Sequence, residues 1–99
     1  MDLVEIRELE DCFDGGSKLE YRFSAAIGDE FMRRMAAGSR LDFFPEFPRP
    51  FFKIFHGNGI QVKGVLGDSC VEVYFPRADM KKIRRQFEEE IGRLLPKRS

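Results

Sequence analysis

The sequence predicts an α+β domain: an antiparallel sheet of about five strands with two helices packed on one face, in the order ββαβββα. Three observations carry that prediction. Residues 18–27 alternate apolar and polar with period two; the stretch from Phe51 to Phe75 is cut into three such runs by the turn signals Gly57-Asn58-Gly59 and Gly67-Asp68; and Met80, Ile83, Phe87, Ile91 and Leu94 recur at helical spacing. Ninety-nine residues, 42% of them hydrophobic, suffice for one core and not for two, so residues 1–99 are expected to form a single domain with 96–99 as a flexible tail.

The elements follow in order. Residues 3–9 and 18–27 read as two strands, the second placing Leu19, Tyr21, Phe23 and Ala25 on one face and Lys18, Glu20, Arg22 and Ser24 on the other. Asp14-Gly15-Gly16 between them suits a hairpin turn. Residues 28–38 read as a helix: Asp29 and Glu30 fall where the helix dipole favours acids, and Gly38 where a left-handed cap is wanted. Residues 39–50 read as a connector, because Pro45, Pro48 and Pro50 forbid regular helix and disfavour a central strand.

A meander of three strands comes next. With Asn58-Gly59 as the centre of a type I′ turn, Phe55 faces Val62 and His56 faces Gln61; with Gly67-Asp68 as a type II′ centre, Lys63 faces Glu72 and Val62 faces Val73. One face then collects Phe55, Ile60, Val62, Val71, Val73 and Phe75, and the other His56, Gln61, Lys63, Glu72 and Tyr74. Lys53 falls on the apolar face in this register and is assigned to the sheet margin. The last element, residues 77–95, is an amphipathic helix whose exposed side is supported by the Arg84 and Glu88 spacing.

Composition excludes several classes of function. Seventeen bases balance seventeen acids, so a strong whole-molecule attraction to nucleic acid or an anionic membrane is not expected. Charge is uneven along the chain: residues 1–20 hold seven acids and two bases, residues 77–99 eight bases and four acids. Cys12 and Cys70 lie far apart with no CxxC or neighbouring His, which supports neither a zinc site nor a redox motif, and no cofactor or metal is expected. The start of the chain lacks the pattern of a signal peptide, and no stretch approaches the ~20 apolar residues of a membrane span. A cytoplasmic protein without membrane contact is the expectation.

Three groups of residues are candidates for function. His56, Gln61 and Tyr74 are expected in one row on the polar face of the meander, where an imidazole, an amide and a phenol suit a polar ligand. Phe43, Phe44 and Phe47 lie in a proline-stiffened connector, and six of the eleven phenylalanines fall between residues 43 and 55, more than a small core readily buries. Aromatic rings on a low-entropy segment are good anchors for another protein or a second copy of the chain. Lys81, Lys82, Arg84 and Arg85 form a basic start to the last helix, the alternative being contact with nucleic acid. Helix, three-stranded meander and helix is also the element order of double-stranded-RNA-binding domains, but Pro76-Arg77-Ala78-Asp79 stands where a glycine-and-serine turn and lysine-rich helix start belong. No residues are spaced for catalysis, and the expected function is a non-enzymatic binding or accessory domain that contacts protein or itself.

Overall fold

The computed structural model describes residues 1–11, 13 and 15–95. Cys12, Asp14 of the expected hairpin turn, and the expected tail at Pro96–Ser99 lie outside the described residues. The chain runs β1 (Leu3–Asp11), β2 (Ser17–Phe23), α1 (Asp29–Met35), β3 (Arg40–Phe44), β4 (Phe51–Phe55), β5 (Gln61–Val65), β6 (Cys70–Phe75) and α2 (Met80–Leu94). Its six strands form one antiparallel sheet in the order β1-β2-β6-β5-β4-β3. The α+β class expected from the sequence is the one observed, with one strand more.

The extra strand is β3, taken from the residues read as a connector. Arg40-Leu41-Asp42-Phe43-Phe44 alternates polar and apolar, and the three prolines all fall after it, in the β3–β4 loop. At the sheet edge β3 pairs with β4 alone, so the prolines interrupt no ladder. Four strands therefore separate the helices, which departs from the order of double-stranded-RNA-binding domains.

The β4–β5 register also differs from the expected one, by one residue. Phe55 pairs with Gln61, Ile54 with Val62 and Lys53 with Lys63. The cause is a three-residue loop, Gly57 to Gly59. The His56 amide donates to the Ile60 carbonyl (2.9 Å), the Gly59 amide donates to the His56 carbonyl (3.1 Å), and Gly59 alone takes a positive φ of 94°. A type I′ turn needs positive φ at both central residues; Asn58 instead uses its side-chain oxygen to accept from the Ile60 amide (3.2 Å). A one-residue slip exchanges the faces of a strand. Phe52 and Ile54 are thus the buried residues of β4, while Lys53 and Phe55 point to the opposite face. At the second hairpin the expected pairings hold, Lys63 with Glu72 and Val62 with Val73, although Gly67 (φ 94°) is the third residue of its turn rather than the second.

The core is built from the alternate residues of the strands that face the helices. Leu19, Tyr21 and Phe23 on β2, and Val71, Val73 and Phe75 on β6, are all buried. Helix α1 contributes Phe31, Met32 and Met35, and α2 contributes Phe87 and Ile91, with Met80, Ile83 and Leu94 partly buried beside them. Phe87 sits between Tyr21 and Phe75, at ring-centroid distances of 5.4 and 5.6 Å. The buried Tyr21 hydroxyl donates to Glu88 Oε2 (2.8 Å), which also accepts from Arg84 Nε (3.0 Å), so the only polar atom of that ring is satisfied from the helix above it. Burial first, and then the Glu88 carboxylate, hold the Tyr21 phenol well above its ordinary pKa.

Gly64 on β5 lies beneath the ring of Phe52. A Cβ there would stand 2.5 Å from Phe52 Cζ and 3.0 Å from Val71 Cγ1. Because Phe52 is fully buried, its ring has little room to move aside. Gly64→Ala is expected to destabilise the fold by about 1–3 kcal/mol, whereas Gly57→Ala, with nothing within 4 Å, is expected to be much milder. Urea denaturation of the two variants against the parent chain measures the difference.

Candidate functional site

The helices cover one face of the sheet, and the expected aromatic and ligand-binding residues among those described, Phe43 excepted, fall at two places: a cleft at the edge of α2, and the open sheet face. The expected row of His56, Gln61 and Tyr74 is divided between them. Gln61 and Tyr74 pair across β5 and β6 on the open face. His56, carried to the other side by the register slip, lies 6.4 Å from the Phe87 ring on the helix side. No single ligand on one face meets all three.

The cleft holds about 100 Å³ and is lined chiefly by Met35, His56, Ile60, Phe87, Glu90 and Leu94. His56 Nδ1 and Ser39 Oγ lie 2.7 Å apart and share one hydrogen whose carrier depends on the imidazole tautomer. Burial lowers the His56 pKa below its ordinary value, opposed in part by the Glu90 carboxylate. The neutral imidazole therefore has one ring nitrogen engaged by Ser39 and apolar walls around it. Ligand pockets hold roughly 300–1,000 Å³, so this cleft fits waters or a single small group, not a metabolite. Its histidine is better explained as a satisfied, half-buried part of the scaffold.

The open face is larger and of a different kind. The outward residues form three rows across the strands. The middle row reads Arg7, Glu20, Glu72, Lys63, Lys53 and Asp42, each opposite the next. On one side of it lie Arg22, Cys70, Val65, Phe51 and Phe44; on the other lie Lys18, Tyr74, Gln61, Phe55 and Arg40. Between the middle row and the row of Cys70, Val65 and Phe51 is a shallow depression of about 430 Å³. Glu20 is paired with Arg7 (3.4 Å) and Arg22 (3.3 Å), and Glu72 with Lys18 (3.6 Å), while Lys53 and Lys63 make no ion pair among the described residues. Cys70 is a free, half-buried thiol whose pKa is pushed up by burial and then by Glu20, which keeps it protonated and a poor nucleophile.

At one corner of this face the aromatic residues gather. Phe44 stacks on Phe51 at 4.6 Å, and Phe47 closes the group at 5.2 Å from Phe51 and 6.3 Å from Phe44. Phe44 and Phe51 are half-buried and Phe47 is 48% exposed. Phe43, with the opposite phase on β3, turns to the core side, where the Arg33 guanidinium lies 5.9 Å from its ring. The loop that carries Phe47 is tied to the β5–β6 turn at its C-terminal end: Arg49 is ion-paired with Asp68, and the Leu66 amide donates to the Pro50 carbonyl (2.9 Å). Phe55, absent from the expected site, lies under the Arg40 guanidinium at 5.4 Å. The signal for Phe51 and Phe55 was their shared phase with Lys53.

On α2, Lys81, Lys82 and Arg85 are exposed, while Arg84 is half-buried and occupied by Glu88. Among the described residues no group of three or more His, Cys, Asp or Glu is placed to hold a metal ion, and no helix is long and apolar enough to cross a membrane.

The lowered pKa of His56 has a consequence for stability. The folded chain favours the neutral ring, so its contribution is present above the unfolded value of about 6.5 and is lost as pH falls through the lower folded value. Thermal denaturation between pH 7.5 and pH 5 is expected to show the parent chain losing more stability than His56→Gln, which cannot titrate; equal losses would contradict the burial of the imidazole.

No family model, no curated protein and no solved structure matches this chain, so its functional reading rests on the geometry of these two surfaces.

Proposed function

We propose that this chain is a protein-contact domain whose open sheet face is its working surface, with the helices and core serving as the scaffold that holds it. The observation that carries this reading is the aromatic corner of Phe44, Phe47 and Phe51, half-exposed on the uncovered face of a six-stranded sheet. A monomeric surface scatters its exposed apolar residues, whereas contiguous aromatic groups beside a polar rim mark sites of association. The corner is also pre-organised: two of its rings extend from adjacent strands, and the loop carrying the third is tied to the β5–β6 turn by Arg49 and Asp68. Little side-chain entropy remains to be lost on contact, which favours these rings as anchors.

The alternative, nucleic-acid contact through Lys81, Lys82 and Arg85, has weaker support. Arg84 is withdrawn by its ion pair, and Glu89 and Glu90 are exposed on the same helix. Capture with the tagged protein from a lysate of its source cells, with and without nuclease, separates the two. A partner retained after nuclease treatment and lost with the double variant Phe44→Ser/Phe47→Ser, by about tenfold or more in affinity, is the expected result. Capture that ignores those substitutions contradicts the proposal, and capture abolished by nuclease moves the site to α2.

A further inference from the structure

We infer that the partner of the open face is a second copy of this chain, the two sheets packing face to face about a two-fold axis that runs along the strands midway between β5 and β6. This rests on the protein-contact reading above and names its occupant. The middle row carries the charges plus, minus, minus, plus, plus, minus from Arg7 to Asp42. Within one sheet that order is unfavourable, since it sets Glu20 directly opposite Glu72 and Lys53 directly opposite Lys63. Read backwards it becomes its own complement. A two-fold axis along the strands lays the row on its reverse, so Glu20 meets Lys53 of the second copy, Glu72 meets Lys63, and Arg7 meets Asp42. All six positions face opposite charge.

The other in-plane axis, across the strands, sets each strand on its own counterpart and every charge of the row on its like. The charge order thus selects one of the two aligned packings. The flanking rows agree with it at every position but one: Arg40 meets Glu10 of the second copy, while Phe44 comes over Glu5. Arg22 comes over Phe51 of the second copy and Lys18 over Phe55, each a cation on an aromatic ring, while Cys70 meets Val65 and Tyr74 meets Gln61. Beyond the last row, the exposed Phe47 comes opposite the start of β1, where Val4 is 57% exposed.

Size is consistent with such a pair. Six strands about 4.8 Å apart and three rows about 7 Å apart present roughly 600 Å² per copy, or about 1,200 Å² in all, the lower end of what a stable dimer buries. Aligned sheets pack about 10 Å apart with their strands about 30° from parallel. That crossing leaves Glu72 and Lys63 face to face at the centre and offsets the outermost Arg7 and Asp42 by about 6 Å along the strand, distances that Lys, Arg and Glu side chains span. Ion pairs buried this way select the register more than they add affinity.

Sedimentation equilibrium of the full chain up to about 1 mM tests the inference, with Lys63→Glu and Glu72→Lys alone and mixed. Each single variant is expected to weaken self-association about tenfold or more. Their equimolar mixture is expected to restore it. In the mixed pair the carboxylate introduced at position 63 of one copy faces the ammonium introduced at position 72 of the other, and the native Glu72 of the first faces the native Lys63 of the second. Circular dichroism confirms that each is folded, and the pair Lys53→Glu with Glu20→Lys repeats the test at a second contact. A parent chain that stays monomeric, or folded variants that do not rescue each other, overturns the inference. If self-association fails while capture still depends on Phe44 and Phe47, the partner is a different protein and the contact reading stands; if both fail, so does that reading.

Discussion

The phase of β4 is the constraint on which the rest depends. Its five residues, Phe51-Phe52-Lys53-Ile54-Phe55, offer an apolar set on either face, and the three-residue loop at Gly57–Gly59 decides between them. With that loop Phe52 and Ile54 enter the core, Phe52 over the bare backbone of Gly64, while Phe51, Lys53 and Phe55 turn outward. The same step carries His56 under α2 beside Ser39 and Phe87, and brings Lys53 alongside Lys63. A slip of one residue would bury a lysine and leave the helices resting on a different set of side chains.

From this follows a division between the two faces. The helix side is closed by aromatic packing around Phe87, and its polar groups are satisfied where they stand: the Tyr21 hydroxyl by Glu88, the His56 imidazole by Ser39. The open side is left with like charges side by side and an aromatic corner that its own chain covers only in part. Both features cost a lone molecule something, and both are relieved by one kind of event, the arrival of a surface with complementary charge order. That convergence is why the open face, rather than the cleft with its histidine, carries the functional reading. The two sheet edges differ as well: β1 is interrupted by irregular pairing at Val4 and Leu9, which disfavours extension of the sheet from that side.

Much of the fold was legible in the residues because each signal was redundant. The alternation of β2 and β6, the apolar stripe of α2 and the left-handed glycines at 38, 59 and 67 all mark their elements by more than one cue. Two things were not. The strand β3 was hidden by the prolines that follow it, since a proline excludes a central strand but not an edge strand that ends before it. The β4 register was hidden because phenylalanine occupies both phases; Lys53, the one misfit in the expected register, was the clue that the strand should be shifted by one. Of the candidate site, Phe44 and Phe47 were legible from their density on a stiff loop. The charge row was not, because its order exists only once β2 is known to pair with β6, a contact between residues about fifty positions apart.

The most direct test of the account is an isotope-filtered NOE measurement on an equimolar mixture of labelled and unlabelled chain, which reports only contacts between copies. Face-to-face packing about the axis between β5 and β6 predicts cross-copy contacts from Val65 to Cys70, from Gln61 to Tyr74 and from the Phe51 ring to the Arg22 side chain. Cross-copy contacts confined to α1 or α2, or none at concentrations where the chain is dimeric, would contradict it.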